Sequence, residues 1–387
     1  MKPRKTIRLV ATALLLAACS INVSKPTPIP TRFAPTIRPS PVATQVSALP
    51  TPAPPAAQPT LLPWVDLDLS GRLVYLTFAR GAQSLAKLDL AAGATTTLFD
   101  PPDSAWLNAA AVSPDGTQVA LAYAAPPPEG EITLGFTDLY LMPMGHPDQL
   151  QLVLQRTDAQ ESFFNPVWSP DGRHIYYSHL VRTAPATNSL TPTPFGAINY
   201  QYNIERIAYP PGSSRPESLI ENAIWPRLSP DGSKIAYVSF DLNTYANDLY
   251  VADADGTHST QLTTADTFSA VDAPFFTTDG QTVIFSAVGG PVSVSPSSSL
   301  TWLDQLLGVQ IVSAHNVPSD WWRVSVNGGR PSQITQLYDT GLYATLSPDG
   351  QRIAFVAASG LYIMNPDGSD LRQLLRLWVG GTIDWIP

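Results

Sequence analysis

The sequence predicts an all-β protein: a six-bladed β-propeller of four-stranded antiparallel blades, preceded by a lipoprotein signal and a Pro-rich linker. Two observations carry the propeller. A Ser-Pro-Asp-Gly turn recurs at Ser113, Ser169, Ser229 and Ser347, with a worn copy at Thr277-Thr-Asp-Gly280 and a shorter one at Leu69-Ser-Gly71. Every copy runs into an apolar strand, as Ile353-Ala-Phe-Val356 follows Ser347. Self-similarity at this spacing is the signature of a repeat architecture. A third observation concerns the start of the chain, where a short apolar run ends in Leu16-Ala-Ala-Cys19.

Each part of the repeat has a physical reason. Pro presets φ at the first central turn position, Asp tolerates the second and bonds its own backbone, and Gly takes the position with φ > 0. Apolar β-branched or aromatic runs on both sides make the unit a hairpin. A third strand follows in each copy: Leu85–Leu90, Asp138–Met142, Ile204–Ala208, Asp248–Val251, Trp321–Val324 and Gly360–Met364. A second turn, often with Gly, leads to a short fourth strand such as Thr260-Gln-Leu-Thr263 or Ser332-Gln-Ile-Thr335. Four antiparallel strands repeated six times read as a propeller, because single blades cannot bury their faces alone.

The repeat resembles the WD40-like repeats of TolB-type β-propellers. The matching parts are Trp168-Ser-Pro-Asp-Gly172 and the segment 249–263, with its Leu-Tyr, Asp-Gly and Gln-Leu-Thr elements. The resemblance spans about residues 64–387. It implies the propeller fold and leaves function open, because such scaffolds host many roles.

Three segments are expected: a signal peptide (1–18), a lipidated Cys19 with a Pro-rich linker (19–63), and the propeller (64–387). Lys2, Arg4, Lys5 and Arg8 open the signal, and Leu9–Ala18 is too short to span a bilayer. The segment before Cys19 resembles a bacterial lipobox, which implies lipidation of that thiol. Cys19 is the single cysteine, so no intramolecular disulfide forms. The expected location is the cell envelope, on the outer face of the cytoplasmic membrane or on an outer membrane. The linker lacks acidic residues and is rich in Pro, Ser, Thr and Ala, a composition that stays extended. At about 3.1 Å per residue it reaches on the order of 130 Å.

Of the 22 lysines and arginines, seven precede residue 64, leaving 15 against 31 acidic residues, a net charge of −16 for the propeller. Such a surface repels nucleic acid and anionic headgroups and favours positive partners.

Alternating strands put the first-to-second and third-to-fourth turns on one face. The second-to-third loops and blade connections lie on the other. The turn face carries Asp115, Asp171, Asp231, Asp279 and Asp349. The loop face takes the long insertions 124–136, 180–203 and 288–318, and displayed loops are where binding concentrates. Within 180–203, Phe195, Tyr200 and Tyr202 suit a sugar or peptide contact, or packing of the loop on its own blade. Within 288–318, Leu300, Leu303, Leu306 and Leu307 fall at helical spacing beside Trp302, and His315 follows. Trp302, Leu303, Leu306, Leu307 and His315 are therefore the candidate binding residues. Ile383–Pro387 resembles the inner strand Pro166–Pro170 and is expected to complete the first blade, with residues 64–67 as the competing segment.

Catalytic and metal motifs do not stand out. The five histidines, His146, His174, His179, His258 and His315, are scattered without a zinc spacing. His174 and His179 are five apart, on opposite faces of a strand. No Gly-x-Ser-x-Gly elbow or phosphate-cradling loop appears. Asp253-Ala-Asp-Gly256 and Asp367-Gly-Ser-Asp370 raise calcium, but neither has the downstream bidentate Glu of a calcium loop. No cofactor is expected. The reading is a lipid-anchored, non-catalytic propeller that binds protein, peptide or glycan on its loop-rich face, contacts the membrane through its anchor, and binds no nucleic acid. The alternative is a propeller lyase or hydrolase with a metal or acidic site in the channel, which requires His179 or His315 to meet carboxylates there.

Overall fold

A computed structural model describes residues 62–79, 82–129, 135–183, 199–212, 214–241, 246–264, 266–290, 317–377 and 379–387. Twenty-four strands form six antiparallel four-stranded sheets. Blade 1 holds β1 (Arg72–Ala79), β2 (Ala82–Asp89) and β3 (Thr95–Phe99). Blade 2 holds β4 (Trp106–Val112), β5 (Gln118–Ala124), β6 (Asp138–Pro143) and β7 (Gln151–Leu154). Blade 3 holds β8 (Ser162–Trp168), β9 (His174–Thr183), β10 (Asn199–Ala208) and β11 (Glu217–Glu221). Blade 4 holds β12 (Ala223–Leu228), β13 (Lys234–Asp241), β14 (Ala246–Asp253) and β15 (Thr260–Gln261). Blade 5 holds β16 (Phe268–Phe276), β17 (Thr282–Gly289), β18 (Asp320–Ser325) and β19 (Ser332–Gln333). Blade 6 holds β20 (Tyr343–Leu346), β21 (Ile353–Ala357), β22 (Gly360–Met364) and β23 (Arg372–Leu375).

The last strand, β24 (Val379–Ile386), pairs antiparallel with β1 and takes the innermost place in blade 1. The end of the chain therefore supplies the missing strand, while residues 65–67 form a single 3-10 turn. The closure gives blade 1 the same four strands as the other five. The core lies between blades: an apolar cluster fills each of the six seams. Trp64 is wedged into the seam of blades 6 and 1, where its indole N–H donates to Leu90 O at 2.8 Å.

The repeat residues hold the turns as their chemistry requires. The Ser or Thr hydroxyl donates to the Asp carboxylate at 2.5–2.7 Å in all five copies. The same carboxylate accepts the backbone N–H two residues on, at 3.0 Å in each. Gly closes the turn at φ between 67° and 71°. Neighbouring turns also lie close together. A Cβ added at Gly232 would lie 3.5 Å from Pro170 of the preceding turn, and one at Gly280 would lie 3.9 Å from Pro230. Pro and Gly of successive copies thus form a collar around one mouth of the axis.

The third-strand Asp and the fourth-strand Gln-x-Thr form a second lock. Gln261 donates to Asp248 at 3.1 Å and Gln333 to Asp320 at 3.3 Å. The Leu249 and Trp321 N–H groups donate to Thr263 and Thr335 hydroxyls, each at 2.9 Å.

One hairpin is longer than the sequence suggests. β9 and β10 pair from His174↔Ala208 to Thr183↔Asn199, so Tyr200 and Tyr202 are strand residues. Tyr202 is buried between blades 3 and 4 and meets Phe164 and Phe240 edge to face. Of the two readings open for this segment, Tyr202 follows packing.

Candidate functional site: the axial channel and its vestibule

The inner strands β8, β12 and β16 each break register one step above the turns, between Phe164 and Val167, Ile224 and Arg227, and Asp272 and Phe275. Asn165, Trp225 and Ala273 sit at these bulges with φ of 46°, 55° and 46°, and each precedes a proline. Left-handed backbone at a residue other than glycine costs about 1–3 kcal/mol. Three such positions share one level of the axis. Side chains from adjoining blades occupy the backbone groups nearby: Trp225 N–H donates to Ser178 Oγ at 3.0 Å, Ala110 N–H to Thr382 Oγ1 at 2.7 Å, and Val112 N–H to Asp384 Oδ2 at 2.8 Å.

At this level the channel narrows to a cavity of about 40 Å3 lined by residues of β8, β12, β16, β20 and β24. That is room for a water or two. Tyr343 of blade 6 reaches across, and its hydroxyl takes side-chain hydrogen bonds from Asn165 and Trp225 of blades 3 and 4. Burial holds the Tyr343 hydroxyl well above the ordinary phenol range, so it stays protonated.

Toward the turn face the channel widens into a vestibule of about 250 Å3. Val167, Trp168, Phe275, Phe276 and Leu346 give it apolar walls, and Pro170 and Pro230 belong to the collar. Arg227 is the one charged residue among its described lining. Its guanidinium donates to Ala344 O at 3.2 Å. Burial lowers its pKa, opposed by the charge of Asp384 on the facing blade. Burial likewise raises Asp384. The vestibule therefore narrows behind to the level of Tyr343, with Arg227 lining both spaces.

The rim is anionic. The Ser or Thr hydroxyl in each turn holds Asp115, Asp171, Asp279 and Asp349 below the usual carboxylate range, and Ser229 brings Asp231 down to about 2. These carboxylates are exposed.

A second titratable cluster lies between blades 2 and 3. His179 Nε2 meets Glu161 at 2.8 Å, its Nδ1 meets Glu205 at 2.9 Å, and Tyr177 donates to Glu205 at 3.1 Å. The imidazole stacks on Phe163 with centroids 4.4 Å apart. Burial alone would depress His179, but Glu205 and Glu161 overcome it and hold the pKa above its usual value. Glu161 also accepts the backbone N–H groups of Thr157 and Asp158, which ties the connector between the blades. His179 thus meets carboxylates as the enzyme reading requires, but in a blade seam and outside the residues lining the channel.

Trp302, Leu303, Leu306, Leu307, His315 and Cys19 lie outside the described residues, as does Phe195. The aspartates that raised calcium have internal partners. Asp253 bonds Lys234 and His258, Asp255 bonds Thr257, Asp367 bonds Ser369, and Asp370 bonds Arg352 and Arg372. No group of three or more His, Cys, Asp or Glu positioned for a metal occurs among the described residues. No helix among them is long and apolar enough to cross a membrane.

Sequence reasoning missed Arg227 and Asp384, although a signal existed. Aligned on the turns, Arg227 falls where the other copies have Ala111, Val167, Phe275 and Thr345. Asp384 precedes Trp385 as Val167 precedes Trp168.

No family model matches the chain. A solved structure described as a putative TolB from Agrobacterium tumefaciens is 18% identical, with 82% of this chain and 100% of that chain covered, at a TM-score of 0.52. TolB from Acinetobacter baumannii is 16% identical, with 82% and 67% covered, at a TM-score of 0.54. Among curated proteins, dipeptidyl-peptidase 5 of Porphyromonas gingivalis is 23% identical over 214 residues, 51% of this chain and 25% of that protein. The chain thus spans about a quarter of the length of the curated relative it matches. At these identities the likeness speaks to the fold, and the fold is that of the TolB-like six-bladed β-propellers.

Proposed function

We propose that the chain is an exported propeller, lipid-anchored at Cys19, that acts as a non-catalytic binding module for a protein, peptide or glycan. The observation that carries this reading is the apolar-walled vestibule of about 250 Å3 at the mouth of a closed ring. A concave apolar site with few convergent polar groups is the usual form of a ligand pocket. The likeness to TolB structures supports the scaffold. The loop-rich face is a second docking surface, with Trp302, Leu303, Leu306, Leu307 and His315 as its contact residues. The β9–β10 hairpin, ten residues to a strand, extends Tyr200 and Gln201 toward it.

The alternative is a propeller enzyme of lyase or hydrolase type, favoured by the partial likeness to a dipeptidyl-peptidase. Capture from detergent-solubilised cells, with and without residues 288–318, separates these readings. A partner lost with the deletion assigns docking to the loop-rich face, and a retained partner assigns it to the turn face. Turnover of a peptide or polysaccharide panel by the purified protein, with no partner captured, overturns the binding reading.

A further inference from the structure

We propose that the vestibule holds a chain terminus: the free C-terminal carboxylate of a partner whose last side chain is apolar and whose preceding residues are basic. This rests on the binding-module reading and names the ligand of its pocket.

Four observations converge. The pocket narrows behind, where Tyr343 reaches toward Asn165 and Trp225 and the space is only about 40 Å3. An end fits such a pocket, and a strand passing through does not. Arg227 lines both spaces with one protein acceptor, Ala344 O, and forms no ion pair within 4.0 Å among the described residues. Asp384 faces it across the axis from beyond that distance, with Oδ2 already bonded to Val112 N–H. A guanidinium has five N–H donors in a fork that matches a carboxylate. The walls of Val167, Trp168, Phe275 and Leu346 suit an apolar terminal side chain. Outside them, Asp171, Asp231 and Asp279 stay ionised at the rim, where they repel a wholly anionic ligand and attract basic residues upstream of the terminus.

The test uses a labelled, N-acylated hexapeptide with two lysines followed by an apolar stretch ending in leucine. Fluorescence anisotropy compares the free acid, the C-terminal amide, and an acid with serines in place of the lysines. The amide is expected to bind about 10- to 100-fold more weakly, the range for a charge-assisted hydrogen bond. The serine peptide loses less, and that loss fades at high salt. Arg227→Gln is expected to erase the acid-to-amide ratio, and Arg227→Lys to keep part of it. Unfolding midpoints check that both variants fold. The wild-type ratio needs no variant. Equal binding of acid and amide overturns the proposal, as does a ratio that survives Arg227→Gln. Absence of binding by every peptide overturns the terminus assignment alone, because the capture experiment judges the binding module separately.

Discussion

Replacing Gly368 by Ala tests whether the propeller is held by backbone contact between blades. Gly368 sits at φ +86° in the third-to-fourth turn of blade 6. A Cβ there would lie 2.2 Å from Ile334 O and 2.7 Å from Ile334 Cγ2, at the exit of blade 5. Gly116, at φ +71°, has nothing within 4 Å of the same atom. Both substitutions place Ala in the left-handed region, which costs about 1 kcal/mol. In Gly368→Ala the carbonyl must also retreat by roughly 1 Å to reach ordinary contact. Ile334 is packed in the seam of blades 5 and 6, and its N–H donates to Trp321 O at 2.8 Å. Overpacking of this kind adds about 1–3 kcal/mol. The totals are about 1 kcal/mol for Gly116→Ala and about 2–4 kcal/mol for Gly368→Ala. At about 2 °C per kcal/mol for a domain of this size, Tm falls by about 2 °C and about 4–8 °C. Thermal unfolding followed by circular dichroism measures both. Equal losses would refute the interblade contact, because the backbone term cancels between the two variants.

Three further outcomes follow from other contacts. His179→Ala leaves Glu161 and Glu205 buried without their shared cation and costs about 3–5 kcal/mol in urea unfolding at pH 6. A raised histidine pKa gives stability that is full below the unfolded value of 6.5 and is lost as pH rises through the folded value, so the gap from wild type narrows at pH well above 6.5. Ser229→Ala removes the hydroxyl that holds Asp231 at about 2, and the NMR titration midpoint of that carboxylate moves toward 3.8. In the wild type the stability tied to that depressed pKa is present above 3.8 and lost as pH falls toward 2. Trp64→Ala removes a side chain that is 2% exposed and costs about 3–5 kcal/mol, read from the urea midpoint.

The propeller was legible because its turn chemistry is local. Ser113, Asp115 and Gly116 each act within five residues, so four intact copies announced the hairpins. Closure by Ile383–Ile386 was legible for the same reason, through likeness to the inner strand ending at Trp168. The channel was harder, because its chemistry joins residues far apart in the chain. Arg227 and Asp384 are 157 positions apart yet face one another across the ring. The bulges at Asn165, Trp225 and Ala273 precede prolines, which read locally as breaks in a strand and not as one tier of a channel. The length of β9 and β10 was hidden because Val181-Arg-Thr183 and Asn199-Tyr-Gln201 mix polar and apolar residues as a loop does. The Pro and Gly of the collar stand in each intact copy, but only the closed ring brings one turn against the next.

Trp64 also determines where force enters the molecule. The chain before it joins the propeller at the seam of blades 6 and 1, where Asp66 holds Arg372 through two contacts of 2.7 and 2.8 Å. That is the seam beside which β24 closes the ring. Tension arriving along the preceding segment is therefore borne first by an indole wedge and a forked ion pair that bridge the first and last blades. The load falls on contacts outside the β1–β24 ladder, so the hydrogen bonds that close the circle are shielded from being peeled one at a time.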